Sequence, residues 1–303
     1  MMTERLPDFL QQALKKQYGE EITAQIAAGM STERKTSLRV NTLKTTREAV
    51  AASLTEAGIA YETAPFSEDA FLLTQAKEKD IWALPMYEKG EVYLQSFSSM
   101  LPPLALAPRQ GADILDMAAA PGGKTTQIAA LTGNRANITA CEINNIRAEK
   151  MRYNLEKQGA SRVNVMVRDA STLEDFFRFD QILLDAPCSG SGTILLDKPQ
   201  TYKAFSEKLV LNSAKIQLKL LKKALTLLKP GNTMVYSTCS ILAAENEDIV
   251  LRALKGVNAE VVSAELPGMD QLPLLPCRIP GALCVRPNEN YEGFFLCKIR
   301  KLK

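Results

Sequence analysis

The sequence predicts an α/β protein in which a doubly wound, parallel sheet follows a small N-terminal α+β unit. Three observations carry this. From Gly111 onward short apolar runs alternate with helical stretches, and four successive runs end at an acid, at Asp116, Glu142, Asp169 and Asp185. Ahead of them, residues 36–73 form a separate strand, helix and strand pattern. A chain of 303 residues is long enough to bury one large core and carry a smaller appendage, and we expect domains at residues 1–109 and 110–303.

Helices are expected at the N-terminus. Then Ser37-Leu38-Arg39-Val40-Asn41 alternates as a strand does, Thr46 to Ala57 is helical and closed by Gly58, and Ile59 to Thr63 and Phe71 to Leu73 are strand-like. This predicts a small βαβ unit ending near Pro108. Lys15, Lys16, Tyr18, Arg34, Lys35 and Arg39 make the region locally basic, which fits a solvated helix face or contact with RNA.

The second half predicts strands at Ala112–Met117, Ile138–Cys141, Val163–Val167, Gln181–Leu184 and Met234–Tyr236. Helices are predicted between them at Thr125–Leu131, Asn145–Gln158 and Ser206–Leu228, the last stopped by Lys229-Pro230-Gly231. A helix at Ala244–Leu254, a strand near Val261–Ser263 and an apolar strand at Gly293–Ile299 complete the pattern, with a proline-rich loop over Leu266–Pro287.

Bulk properties narrow the chemistry. The net charge is only +3, so contact with nucleic acid must come from local Lys and Arg clusters. There is no histidine, which excludes a Ser-His-Asp triad, a Cys-His dyad and any histidine metal site. Proton transfer falls to carboxylates, Lys, Cys or water. Cys141, Cys188, Cys239, Cys277, Cys284 and Cys297 lack paired metal-ligand spacing, so we expect free thiols and no metal. No signal peptide or membrane span is visible, and a cytoplasmic protein is expected.

Ala118 to Thr125 reads in two ways. It fits a relaxed phosphate loop ending in Gly-Lys-Thr, with Gln181–Asp185 as the magnesium strand of a P-loop NTPase. Ala118 where such a loop wants glycine, and Asp116 facing the phosphates, oppose that reading. In the other, Ala118, Ala119, Ala120, Pro121, Gly122 and Gly123 let backbone N–H groups approach a nucleoside cofactor at a helix N-terminus. Glu142, about twenty residues on, is then placed for the ribose hydroxyls, and Asp169 for the adenine amino group.

Two further motifs end apolar runs at a cysteine: Asp185-Ala186-Pro187-Cys188-Ser189-Gly190-Ser191-Gly192 and Thr238-Cys239-Ser240. A thiol placed there faces a ligand crevice and is a candidate nucleophile.

With these motifs in their order, with Leu38-Arg39-Val40-Asn41-Thr42-Leu43, Tyr93-Leu94-Gln95, Ser98-Ser99-Met100, Glu245-Asn246-Glu247 and Glu292-Gly293-Phe294-Phe295, the chain resembles the Sun-type RNA cytosine-5 methyltransferase family over nearly its whole length. The bacterial and archaeal ribosomal RNA members are most alike. The resemblance implies a class I methyltransferase (Rossmann-like) sheet behind a small RNA-recognition-like domain, with S-adenosyl-L-methionine as cofactor. It implies that the Cys239 thiolate adds to carbon 6 of cytosine, making carbon 5 nucleophilic, and that Cys188 serves product release. Asp185 is then placed at the cytosine edge, and Lys124 is a cation that favours thiolate.

Two departures bear on RNA contact. Leu195-Leu196-Asp197-Lys198-Pro199 lacks the family's basic residues before an Asn-Pro pair, and Asn288 stands where histidine is common. No RNA-binding module is expected after Lys303. The expected substrate is ribosomal RNA, then transfer RNA, methylated by a monomer. A P-loop NTPase and a non-catalytic RNA-binding ribosome-assembly factor remain as alternatives.

Overall fold

The computed structural model describes residues 6–302, so Met1 to Arg5 and Lys303 lie outside it. The chain opens with α1 (Asp8–Met30), interrupted at Gly19, whose φ of 81° is non-helical. Its apolar residues Leu10, Leu14, Ile26 and Met30 pack into the core of the large sheet, beside Leu115, Ile182 and Tyr236.

A small sheet follows, with order β2-β3-β1-β4 and every pairing antiparallel. Its strands are β1 (Ser37–Val40), β2 (Tyr61–Ala64), β3 (Ser67–Leu73) and β4 (Val92–Leu94), with α2 (Arg47–Glu56) between β1 and β2. The Thr46 side chain accepts from Ala49 N and starts α2 where the sequence places it. Leu38 and Val40 face Val50, Leu54 and Phe71 in the unit's own core, whereas Ser37 and Arg39, on the alternate face, turn toward the rest of the chain. The expected βαβ unit thus gains a strand from residues 92–94, a segment too short to show a period. Two short helices, α3 (Glu78–Trp82) and α4 (Pro85–Glu88), precede it.

Helix α5 (Phe97–Leu106) lies before residue 109 but packs on the large sheet, where Met100, Leu101 and Ala105 meet Ile114, Leu183 and Val235. That sheet is β5 (Asp113–Asp116), β6 (Asn137–Glu142), β7 (Val163–Val167), β8 (Phe179–Asp185) and β9 (Leu228–Thr238), alternating with α6 (Gly123–Leu131), α7 (Asn145–Gln158) and α8 (Glu207–Leu227). These five strands are parallel in the order β7-β6-β5-β8-β9. From β5 the chain runs outward through β6 and β7, then returns to β8 on the other side. A crevice therefore opens at the carboxyl ends of β5 and β8.

The βα strands are parallel as expected, and the late strands, whose direction the pattern left open, make the sheet mixed. After α9 (Glu247–Leu254) come β10 (Ala259–Val262), β11 (Leu274–Leu275), β12 (Leu283–Val285) and β13 (Phe294–Lys301). β13 pairs antiparallel to β9, and β12, β11 and β10 extend that edge. Two strands thus arise inside the proline-rich segment. Ala244 and Glu245, expected to begin a helix, belong instead to a separate 3-10 turn, Ala243–Glu245, before α9. Pro230 and Gly231 end α8 as expected but fall within the extended span of β9. Among the described residues no helix is long and apolar enough to cross a membrane.

Candidate active site

Asp116 ends β5 and is 1 % exposed. Thr125 Oγ1 donates to its Oδ2 at 2.7 Å. Burial pushes the carboxyl up to about 6, against the pull of Thr125 and Lys124. Lys124 is in the first turn of α6, and its Nζ donates to Asp185 Oδ2 at 2.7 Å and to Ser99 Oγ at 2.8 Å. Burial works against the ammonium charge, but attraction and hydrogen bonding from Asp185 outweigh it, so the lysine pKa rises. Both groups that a phosphate loop would offer a nucleotide, the lysine and the threonine hydroxyl, are therefore engaged internally.

Strands β8 and β9 run parallel with Asp185 beside Ser237, and Ser237 Oγ donates to Asp185 Oδ1 at 2.8 Å. The chain leaves both strands on one side of the sheet, so Cys188 and Cys239, 51 residues apart, meet with Sγ atoms 3.1 Å apart. The Cys239 hydrogen bond and burial drive the Cys188 pKa well up. Gly192 N donates to Cys239 O at 3.0 Å, and Gly293 N to Gly192 O at 2.9 Å. A Cβ on Gly192 would lie 2.0 Å from Gly293 O, so two glycines are needed for this crossing of backbones.

Two adjoining cavities open here. One, of about 550 Å³, is lined by Ala118, Ala120, Glu142, Asp169, Asp185, Cys188 and Cys239, with Ile143, Ile216 and Leu220 as apolar walls. Glu142 is 3 % exposed; its Oε1 accepts from Asn144 N at 2.8 Å and its Oε2 lies 3.2 Å from Arg147 Nη1. Asp169 accepts from Ser171 N at 2.8 Å, and its carboxyl lies below the ordinary range; burial raises it, but the Ser171 hydrogen bonds and Lys219 outweigh that. The other cavity, of about 360 Å³, is lined by Asp116, Ala118, Ala119, Ala120, Pro121, Gly123, Lys124, Asp185 and Cys239, with Tyr93, Glu292 and Phe294 opposite. Ala118, Ala120, Asp185 and Cys239 belong to both cavities, and Cys188 only to the larger.

The expected site residues therefore divide between two spaces. Gly122 lines neither; its φ of 102° requires glycine, and a Cβ there would meet Met151 Cγ at 3.2 Å. A Cβ on Gly123 would come within 3.1 Å of the Tyr93 ring. Backbone conformation and packing thus account for both glycines. Among the described residues no group of three or more Cys, Asp or Glu side chains could hold a metal.

Arg39, Arg34 and Tyr18 do other work than either expected role, whereas Lys16 is exposed on α1 as a solvated helix face would have it. Arg39, 4 % exposed, donates to Gln95 Oε1 at 3.1 Å and Thr126 Oγ1 at 3.0 Å, and burial lowers its pKa to about 10. Arg34 donates to the carbonyls of Gly192 and Thr193 at 3.0 and 3.2 Å and lies 3.6 Å from Glu292, bracing the glycine crossing. Tyr18 OH donates to Ile241 O at 2.9 Å. Asn288 Oδ1 accepts from Asn290 N and Tyr291 N, both at 2.8 Å, and shapes a turn. All six cysteines are free, with Cys141, Cys284 and Cys297 buried in the core. The sequence reading gave no role to Ser99, Tyr93 or Glu292, which line the smaller cavity, or to Glu245, which lies behind the two cysteines. They were visible only as parts of matched motifs.

A family profile described as 16S rRNA methyltransferase RsmB/F matches residues 103–300, and an RsmF/B-like ferredoxin-like domain matches residues 6–79. Among curated proteins, the Ribosomal RNA small subunit methyltransferase F of Shewanella loihica is 35 % identical over 284 residues, covering 88 % of this chain and 56 % of that protein. The chain thus spans little more than half the length of the curated relatives it matches. Among solved structures, a methyltransferase homolog protein from Pyrococcus horikoshii is 31 % identical with a TM-score of 0.85, covering 99 % of each chain. NSun6 from Pyrococcus horikoshii, solved with SFG, shares the fold at 23 % identity and a TM-score of 0.86, covering 98 % of each chain. On the match across residues 103–300 and the identity to these relatives, the chain belongs to the 16S rRNA methyltransferase RsmB/F family.

Proposed function

We propose that this protein methylates carbon 5 of a cytosine in ribosomal RNA, with S-adenosyl-L-methionine as methyl donor and Cys239 as nucleophile. The observation that carries the reading is the position of Cys239, whose residue lines both cavities while Cys188 lines only the larger. The target base fits the smaller cavity and the nucleoside of the donor the larger.

Support for that cofactor comes from the larger cavity, where Glu142 can take the ribose hydroxyls, Asp169 an adenine amino group and the apolar walls the ring, and from Asp185, which lines both cavities and can face a cationic sulfur. When bound, S-adenosylmethionine supplies an electrophilic methyl group. The remaining chemistry belongs to the chain. The Cys239 thiol gives up its proton as its sulfur adds to carbon 6 of the ring, nitrogen 3 gains one, and the electron pair released through the ring makes carbon 5 nucleophilic. Asp185, held by Lys124 and Ser237, faces the ring edge and shares the proton at nitrogen 3. After methylation, the carbon 5 proton must leave before Cys239 is expelled. Cys188 takes it. The foremost cause of its raised pKa is Cys239, and that cause disappears once the Cys239 sulfur is bonded to carbon.

Lys124 supports this chemistry through Asp185 rather than by hydrogen bonding a thiol. The base must be unstacked to reach the thiol, so an unpaired site is the expected target. We place the protein in the cytoplasm as a monomer, with residues 1–109 contributing to RNA choice and 110–303 carrying the chemistry.

The test is incubation of the protein with ribosomal RNA and labelled S-adenosylmethionine. The expected product is 5-methylcytosine. The Cys188→Ala variant should accumulate a covalent RNA adduct that Cys239→Ala does not form. Adduct on Cys239→Ala and none on Cys188→Ala would reverse the two roles, and full activity of Cys239→Ala would end the reading.

A further inference from the structure

Behind the two cysteines lies a carboxylate with no exposed surface. Glu245 is 0 % exposed and sits in the 3-10 turn after β9. Its Oε1 accepts from Ser189 N at 2.8 Å and Gln217 Nε2 at 3.2 Å. Its Oε2 accepts from Ser189 Oγ at 2.5 Å and Ser240 Oγ at 2.6 Å. Ser189 follows Cys188 and Ser240 follows Cys239, so one carboxylate holds the residue after each cysteine.

The wiring continues outward. Ser240 Oγ gives its one proton to Glu245, so it is Ser191 Oγ, 2.8 Å away, that donates to Ser240, while Ser191 Oγ itself accepts from Ile241 N at 3.1 Å. Asn246, the next residue, accepts from Thr238 Oγ1 at 2.6 Å and donates to Ser240 O at 2.8 Å, fixing the same loop from its other side. No ion pair neutralises Glu245 among the described residues. A carboxylate buried without a cation is expensive and must be met by hydrogen bonds. Here every donor comes from the two cysteine loops or from Gln217, a side chain that also donates to Pro187 O at 2.9 Å, immediately before Cys188.

We propose that Glu245 is a positioning residue for the thiol pair: its two oxygens tie the Cys188 and Cys239 loops together and set the 3.1 Å separation of their sulfurs. Only a carboxylate meets this need. A glutamine of the same shape has one accepting oxygen, and its NH2 would face a second set of donors. The role in methyl transfer rests on the proposed function; the geometric role does not.

The experiment separates the two. In the whole chain, oxidised glutathione should close a Cys188–Cys239 disulfide. The two thiols give up two electrons and two protons, and glutathione disulfide is reduced to two glutathione thiols. The equilibrium against a glutathione buffer gives the effective molarity of one thiol toward the other, with no RNA or cofactor present. Glu245→Gln should lower it about tenfold or more, and should lower kcat about 10²-fold, as a displacement near 1 Å at a reacting centre does. KM for RNA and for S-adenosylmethionine should stay within about threefold. Should Glu245→Gln not fold, Ser189→Ala and Ser240→Ala each cut one arm, and the double variant should approach the same loss. An effective molarity unchanged in Glu245→Gln, or in the double serine variant, overturns the proposal. A parent protein that closes the disulfide but transfers no methyl group overturns the proposed function and leaves the clamp standing.

Discussion

Replacing Asp116 by asparagine removes a carboxylate that β5 delivers, almost fully buried, into the crevice. Burial raises its pKa from 3.8 to about 6, so the folded state binds this proton more tightly than the unfolded chain. The stability owed to this group is fully present below about pH 4 and is lost as pH rises through 6. At about 1.4 kcal/mol for each tenfold change in proton affinity, the loss amounts to about 3 kcal/mol at neutral pH. Asparagine keeps the shape and an acceptor for Thr125 Oγ1 but does not titrate. Its stability relative to the parent should therefore improve by about 2 kcal/mol between pH 4 and pH 7. Urea unfolding of both proteins at several pH values, followed by two coincident probes, measures this difference. Titrations elsewhere in the chain largely cancel in the comparison. A difference that stays flat from pH 4 to 7 would refute the assignment of a destabilising buried charge to Asp116.

Two further outcomes test the parts that hold the site together. Gly192→Ala drives a Cβ to within 2.0 Å of Gly293 O, where only backbone is available to move. Chemical denaturation should show a loss of about 2 kcal/mol or more, and a variant within about 0.5 kcal/mol of the parent would mean the crossing relaxes easily. Glu142→Gln removes one charged acceptor from the larger cavity. Calorimetry should show S-adenosylmethionine binding weakened about tenfold or more with kcat nearly unchanged, whereas an equal fall in kcat at unchanged affinity would move Glu142 from cofactor binding to chemistry.

How much of this was legible in the sequence depends on the range of the signal. The strands ending at Asp116, Glu142 and Asp185 were visible because each is a buried apolar run that closes on an acid, with a helical stretch further along the chain. Parallel pairing followed from the βα alternation, since adjacent parallel strands need a crossover. β4, β11 and β12 were not visible, because strands of two or three residues carry no period and form only against a partner already in place. The antiparallel β13 was seen as a strand, but its direction was not, since nothing local distinguishes the two senses.

Cys188 and Cys239 were singled out from the sequence, yet only the fold brings their sulfurs to 3.1 Å and opens one of them to both cavities. Arg34 and Arg39 read as surface charge and are internal braces. Glu245 read as one acid in a matched motif and is buried behind the thiols. The sequence by itself determined the order of the elements and which residues end them, because those are properties of neighbouring residues. The tertiary structure alone decided which chain ends share a crevice, which charges are paired and which glycines are crossings, because those depend on groups that meet only after long loops have closed.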